Sequence, residues 1–411
     1  MSERLDHDVI VSGAGPAGVA TAVALVRKDP SLAGRVVCID KARFPRDKPC
    51  GGGLTGHARA ALAELGLEVR VPHVPCHDGR ILYGRHARDV RLERPVDVVR
   101  RRDFDADLVA QARARGVTIV EGEGLDSFEV DAAAGSVRVK TTAGRVRVGR
   151  VLVGADGAGS RVRRALARDG HPPLRLFQAE VPAPPGLELG ERMVYDFSPM
   201  DEGLRGYVWL FPVAGGLINV GAMHFPSRQL SGAGIEAVLE RALARHGVKL
   251  PQGARGWPAW RYRRGARIAA PHVLCVGDAA GIDALTGEGI AVGLEEGPIA
   301  ARAISGALAS GDFAFRRYAR DVREAVVGRE LALDGRLAAM LYTPRAFALW
   351  LSLIMFDTRM QSLYAARVSG SEILADRKRE LLAALGRHVL HARKRLRELG
   401  TASASLGSTT A

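Results

Sequence analysis

The chain has 411 residues, 47% of them apolar, so it can bury a substantial core as one large α/β unit with a smaller second domain. Its formal charge of +14 comes mostly from arginines scattered along the whole sequence, with no zinc-finger, RNP-like or helix-turn-helix signature, which argues against a nucleic-acid partner. Four dispersed cysteines exclude a disulfide framework, and with no signal peptide the expected compartment is a reducing cytoplasm, with contact at an acidic membrane surface left open.

In chain order, DVIVSG (Asp8 to Gly13) reads as a short, fully buried parallel strand. Ala17 to Val26 reads as a helix, and VVCID, ending at Asp40, as a second strand. Short β-type runs follow between Gly79 and Arg100, an antiparallel excursion from the first sheet. RRDFDADLVAQARARG is a predicted helix, TIVEG a strand, and SVRVKTTAGRVRVGRVLVGADG an alternating ribbon leading into a buried strand. A second β-rich block spans Met193 to Phe225, and the buried-strand theme returns at HVLCVGDAAG, followed by a helix from Gly289 to about Ser310. From Phe313 the chain reads as helical, down to a small polar tail expected to be disordered.

The fold class that follows is α/β: a discontinuous Rossmann-type domain, an inserted antiparallel β-sheet substrate domain and a helical C-terminal region. Its expected boundaries are 1–78, 100–185 and 265–310 for the first, 79–99 and 186–264 for the second, 311–400 for the helices and 401–411 for the tail.

Gly13-Ala14-Gly15-Pro16-Ala17-Gly18 is a GxGxxG motif placed between a strand and a helix. Its glycines permit the tight turn and the approach of a pyrophosphate to the helix N-terminus. Asp40 ends the next strand, where a carboxylate can accept from an adenosine ribose. This much fits NAD and FAD alike.

Later segments favour FAD. Asp156-Gly157 and Gly277-Asp278 each close a buried strand, and the three motifs in this order resemble para-hydroxybenzoate hydroxylase-like flavoproteins. In that group the GD segment binds the ribityl chain, and the DG segment serves the flavin and the NAD(P)H pyrophosphate. The loop KARFPRDKPCGGGLTGHA and the turn LTGEG after GD resemble the geranylgeranyl reductase family more narrowly, with Lys48, Cys50, Gly51, Gly52, Gly53 and Leu54 matching its loop. The aromatic run Tyr207, Trp209, Phe211 and Pro212 matches a third family feature. The likeness covers residues 1 to about 310, with one departure: Ala284 stands where many relatives carry proline.

The resemblance implies that FAD is held by Gly13, Gly15, Pro16, Ala17, Gly18, Asp40, Lys41, Lys48, Cys50, Gly51, Gly52, Arg101, Asp156, Gly157, Gly277, Asp278, Gly287, Glu288, Gly289 and Ile290. It implies NAD(P)H or another electron donor, an isoprenoid or other apolar substrate, and no metal. Cys50 and Gly52 are the catalytic candidates, with a space-filling role for Cys50 as the alternative. Arg101 matches a flavin-contacting arginine and Asp105 a helix-start aspartate, against a plain exposed helix terminus. Period two puts Tyr207, Trp209 and Phe211 on one face of a strand, where they either floor a prenyl pocket, with the hydroxyl and indole N–H at its edge, or pack two layers together.

The implied reaction is hydride transfer from reduced flavin to an alkene carbon with a proton from a side chain or water. The alternative is an FAD- and NAD(P)H-dependent hydroxylase or epoxidase; a halogenase lacks support, because Trp257 and Trp260 have the wrong spacing. Thr343-Pro344 reads as a helix start, and AFALWLSLIMF is too short for a membrane span, which needs ~20 residues. It is expected to be a buried core helix, the alternative being a lid or membrane-dipping helix backed by the basic run that follows.

Overall fold

Val9–Ser12, Val36–Asp40 and Val151–Gly154 are buried along their whole length, as strands covered on both faces must be. In the computed structural model, which describes residues 5–166, 171–226, 230–251, 255–343 and 346–390, they form the middle of a six-stranded sheet. Its order is Ala269–Ala270, Val273–Cys275, Val151–Gly154, Val9–Ser12, Val36–Asp40, Thr118–Glu121, parallel throughout except for the first pair. Parallel pairing brings the carboxyl ends of four strands to one edge, and with them the loops after Ser12, Asp40, Gly154 and Cys275.

The second sheet has eight strands, in the order Arg255–Ala259, Leu174–Pro182, Leu217–His224, Gly206–Val213, Arg192–Asp196, His73–Tyr83, His86–Val99, Gly53–Leu54. It is wider than the sequence boundaries: His73 to Asp78 and Leu174 to Pro182, read as parts of the first domain, hydrogen-bond into it. The short runs between Gly79 and Arg100 are one long hairpin. The sheet is also not wholly antiparallel, since Arg192–Asp196 runs parallel to His73–Tyr83. Alternation cannot reveal that, because it sets faces and not strand directions. A three-stranded ribbon, Leu125–Asp131 to Gly149, completes the strands described.

Strand Gly206–Val213 separates two cores. Tyr207, Trp209 and Phe211 join Leu341, Tyr342, Phe347, Leu351 and Met355 of the C-terminal helices. Val208 and Leu210 face the helix Gly232–Ala244. The apolar run forms the helix Phe347–Phe356, with Phe347, Leu351 and Met355 buried in that first core. Pro344, the expected first helical residue, lies outside the described residues, as does the tail. No described helix is long and apolar enough to cross a membrane.

The helices Pro16–Lys28 and Ile290–Ser310 pack through small residues, so that the first glycine loop and the turn after GD are held by one helix pair. A Cβ at Gly297 would lie 2.5 Å from that of Ala20. Gly297→Val is therefore expected to destabilise the protein by about 3 kcal/mol through overpacking, read as a lower midpoint in chemical denaturation.

Candidate active site

The first glycine loop divides its labour in a way that the structure makes explicit. A Cβ at Gly13 would strike the Ala155 carbonyl at 2.2 Å, and one at Gly18 the Gly13 carbonyl at 2.0 Å, so these two are demanded by the protein's own packing. At Gly15 the nearest neighbour would be Arg46 Nη2, at 3.5 Å. Space there is left for a ligand. The helix begun at Gly15 has no side-chain cap, and neither has the one begun at Gly289, so free N–H groups face the same edge of the sheet. Asp40 is committed to the loop itself: its Oδ2 accepts from Ala14 N–H and its Oδ1 from Ala42 N–H, both at 2.9 Å.

Arg46, which sequence reading passed over within FPRDK, stands above this cradle. It pairs with Asp105 at 3.0 Å and lies over the Phe44 ring, yet its buried Nη1 has no hydrogen-bond partner among the described residues. An unspent guanidinium donor over an open Gly15 suits a pyrophosphate oxygen.

Lys48 reaches across 230 residues of sequence to Asp278 of the GD segment, at 3.4 Å. Val151–Gly154 and Val273–Cys275 pair in parallel, which sets the DG and GD segments side by side. Arg163 locks them by donating to the Ala279 carbonyl at 2.9 Å and stacking on Trp260, whose indole donates to Ala158 O at 2.7 Å. Asp156 keeps Oδ2 for Arg161 N–H, and its buried Oδ1 has no hydrogen-bond partner among the described residues. Burial raises its pKa, against the hydrogen bonds it accepts.

The Cys50 loop leads from Asp40 at the end of a strand of the first sheet to Gly53–Leu54, an edge strand of the second. A Cβ on Gly51 would come within 2.9 Å of the Phe211 ring, and one on Gly52, whose φ is +79°, within 2.1 Å of the Val99 carbonyl. Cys50 is partly buried; its Sγ accepts from Gly52 N–H at 3.4 Å and faces the Arg101 guanidinium. Arg101 is no exposed helix terminus: it is buried and holds Asp105 through Nε and Nη2 at 2.7 and 2.8 Å. Burial pulls its pKa down, but Asp105 and Cys50 together more than offset this, and the charged form is the more firmly held. Gly52 acts through backbone placement alone.

Asn219, also missed from sequence, is the polar joint of the site. Buried on the strand next to the aromatic stripe, it accepts from the Trp209 indole at 2.9 Å and donates to the Cys50 carbonyl at 2.7 Å. Tyr207 donates its hydroxyl to the Thr286 carbonyl. The polar tips expected at a pocket edge are thus both spent on protein. Tyr195 from the neighbouring strand extends the stripe, its ring 5.5 Å from Tyr207 and 5.2 Å from Phe211. Pro212 falls on the opposite face, paired with Ile218, and takes no part in it.

The turn after GD is shaped by Asp283, whose carboxylate accepts from Leu285 N–H at 2.6 Å and from Thr286 N–H at 2.8 Å. Thr55 donates to Glu288. Gly287 approaches Met223, and Ile290 opens the following helix, buried. Lys41 packs its Cβ against the Gly124 position. Glu296, in the helix Ile290–Ser310, accepts from Gly277 N–H at 2.6 Å, while its other oxygen is buried without a partner among the described residues. Burial pushes its pKa up to about 8.

Residues 6–185 match the family model described as an FAD binding domain. Over 384 residues the chain is 30% identical to a menaquinone reductase of Mycolicibacterium smegmatis, covering 89% of this chain and 91% of that protein. The chain belongs to the geranylgeranyl reductase family of FAD-dependent oxidoreductases. It is also 28% identical to digeranylgeranylglycerophospholipid reductase 2 of Methanopyrus kandleri, over 75% of this chain and 79% of that one. The fold matches a geranylgeranyl bacteriochlorophyll reductase-like protein of Thermoplasma acidophilum with a TM-score of 0.72 at 20% identity, covering 96% and 99% of the two chains.

The residues fit FAD. The open face of Gly15, the unspent Arg46 donor and the two uncapped helix starts suit its pyrophosphate and flavin oxygens. Asp156, Lys48 and Asp278 lie along the edge between them. When bound, FAD supplies two-electron hydride chemistry that no side chain has.

Arg46→Ala should weaken FAD binding by about 10- to 100-fold, the worth of one charge-assisted hydrogen bond, measured by titrating the apoprotein with FAD. Asp105 stays paired with Arg101 in that variant, so the fold should hold. Glu296 gives a pH test. Its raised pKa means that the folded state binds the proton more tightly, so stability declines as pH rises from the ordinary 4.5 towards about 8. Glu296→Gln keeps an acceptor for Gly277 and should raise Tm at pH 8 while leaving it nearly unchanged at pH 4.5.

Proposed function

We propose that the protein saturates double bonds of an isoprenoid lipid, with the prenyl tail of a quinone as the substrate class, by hydride transfer from FAD reduced by a nicotinamide dinucleotide. The observation that carries this reading is the junction of Cys50-Gly51 with the face formed by Tyr195, Tyr207, Trp209 and Phe211. An isolated alkene offers no polar handle, so it must be positioned by shape and dispersion alone. A buried aromatic face whose own hydroxyl and indole groups are already satisfied provides that without unpaired polar atoms. The names of relatives, which include a menaquinone reductase and a digeranylgeranylglycerophospholipid reductase, support a prenylated acceptor.

On this reading the loop's part is positional. Asn219 and Val99 fix the Cys50 and Gly52 backbone, and Arg101 holds the Cys50 sulfur against the loop. The C-terminal helices cover the stripe and exclude water, which favours hydride transfer over competing reactions.

The test is anaerobic. Photoreduced FAD-loaded protein mixed with a menaquinone bearing an unsaturated tail should reoxidise and yield the tail-saturated product. Reoxidation only after oxygen is admitted, with an oxygenated product, would instead establish a monooxygenase.

A further inference from the structure

Saturating an alkene needs a proton as well as a hydride, and the residues so far placed leave its source open. Two polar residues that follow the Cys50 loop meet two glutamates that follow the GD segment. Thr55 Oγ1 donates to Glu288, and His57 Nδ1 lies 3.2 Å from Glu295 Oε1. The side chain of Glu295 is 23% exposed and that of His57 17%, so the pair begins near solvent. His57 Nε2, by contrast, is buried with no partner among the described residues.

Glu288 is half-buried on the turn whose Thr286 carbonyl takes the Tyr207 hydroxyl, and that turn packs Ala284 and Leu285 into the core of the aromatic face. The Glu288 charge is felt by the enclosed hydroxyls of Tyr195, which belongs to the aromatic face, and of Tyr364 from the helix Thr358–Val368. His57 touches Glu295 and lies in the field of Glu288 and Arg367; Glu288 touches Thr55 and lies in the field of Arg367, His57 and Asp283. Arg367 is itself held by Glu330 and Asp334, so it is a fixed charge and not a proton carrier.

We propose that Glu295, His57 and Glu288 form a proton relay from solvent to the substrate's double bond, with Glu288 as the terminal donor. It rests on the alkene-reductase reading above. In the step, the π bond breaks, one carbon takes hydride from the reduced flavin, and the other takes the proton of the Glu288 carboxyl. Two C–H bonds form and Glu288 is left as carboxylate. The His57 imidazolium then returns its Nε2 proton across a bridging water, which leaves the neutral ring protonated at Nδ1; a turn of the ring presents the bare nitrogen to Glu295, which passes on a proton taken from solvent.

The electrostatics agree in direction. Burial raises the Glu288 pKa, against Arg367, Thr55 and His57, and so favours the protonated acid. The hydrogen bond to Glu295 raises that of His57, outweighing burial and Arg367, so the imidazolium persists above its ordinary pH range. Deprotonation of His57 then gives an alkaline limb to the rate, and loss of Glu295 must move that limb to lower pH.

The experiment uses FAD-loaded protein, photoreduced anaerobically and mixed with a menaquinone bearing an unsaturated tail, following flavin reoxidation by stopped flow and the product by mass. Glu288→Gln, once loaded with FAD, should slow tail saturation about 100-fold, the usual worth of a general acid, with Tm and photoreduction unchanged. His57→Asn should remove the alkaline limb, and Glu295→Gln should shift it down in pH. A wild type that saturates the tail beside an equally fast Glu288→Gln variant overturns the relay and leaves the reductase standing. A wild type that saturates no tail overturns both. A His57 NMR titration left unmoved by Glu295→Gln overturns the relay whatever the reaction.

Discussion

A backbone can run this close against a packed sheet only where it carries no side chain, and Gly51 and Gly52 supply that stretch where the Cys50 loop crosses the aromatic sheet. The Gly51 position lies against Phe211 and the Gly52 position against the Val99 carbonyl, closer than any Cβ allows. Around these contacts the neighbouring groups fall into order. Lys48 reaches Asp278 on one side of the loop, Asn219 holds the Cys50 carbonyl on the other, and Leu54 continues as an edge strand of the second sheet. A side chain at either glycine would push the loop off the aromatic sheet, and with it the Cys50 carbonyl that Asn219 holds.

Several ionisable groups are buried around this loop and the helices over it. Arg101 with Asp105, Arg367 with Glu330 and Asp334, and Glu296 beneath Gly277 are each largely removed from water. Such groups seldom add stability over a well-packed apolar alternative, and breaking one partner costs about 3–5 kcal/mol. Their value lies in position. Arg101 fixes the side of the loop that bears the Cys50 sulfur, and Arg367 sets the potential felt by His57 and Glu288. The C-terminal helices therefore contribute both the apolar cover of the aromatic face and the charge behind it.

Much of this was legible in the sequence, for reasons of local physics. Apolar runs of about four to six residues bounded by turn residues read as strands buried on both faces, and glycines at the end of such a run mark a turn that a ligand or another backbone approaches. These rules placed Gly13, Asp40, Asp156 and Gly277 on one edge, and period two placed Tyr207, Trp209 and Phe211 on one face. The same alternation separates Pro212 from that stripe, although it had been grouped with it by motif.

What the sequence determined by itself was whatever repeats within a few residues: element types, the phosphate loop, the aromatic face. Only the tertiary structure decided which distant groups meet. Arg46 over Gly15, Asn219 between Trp209 and Cys50, and His57 beside Glu295 are single polar residues with no periodicity to announce them. Their partners are chosen by strand order and loop closure, and a buried polar group takes its meaning from the one atom it faces.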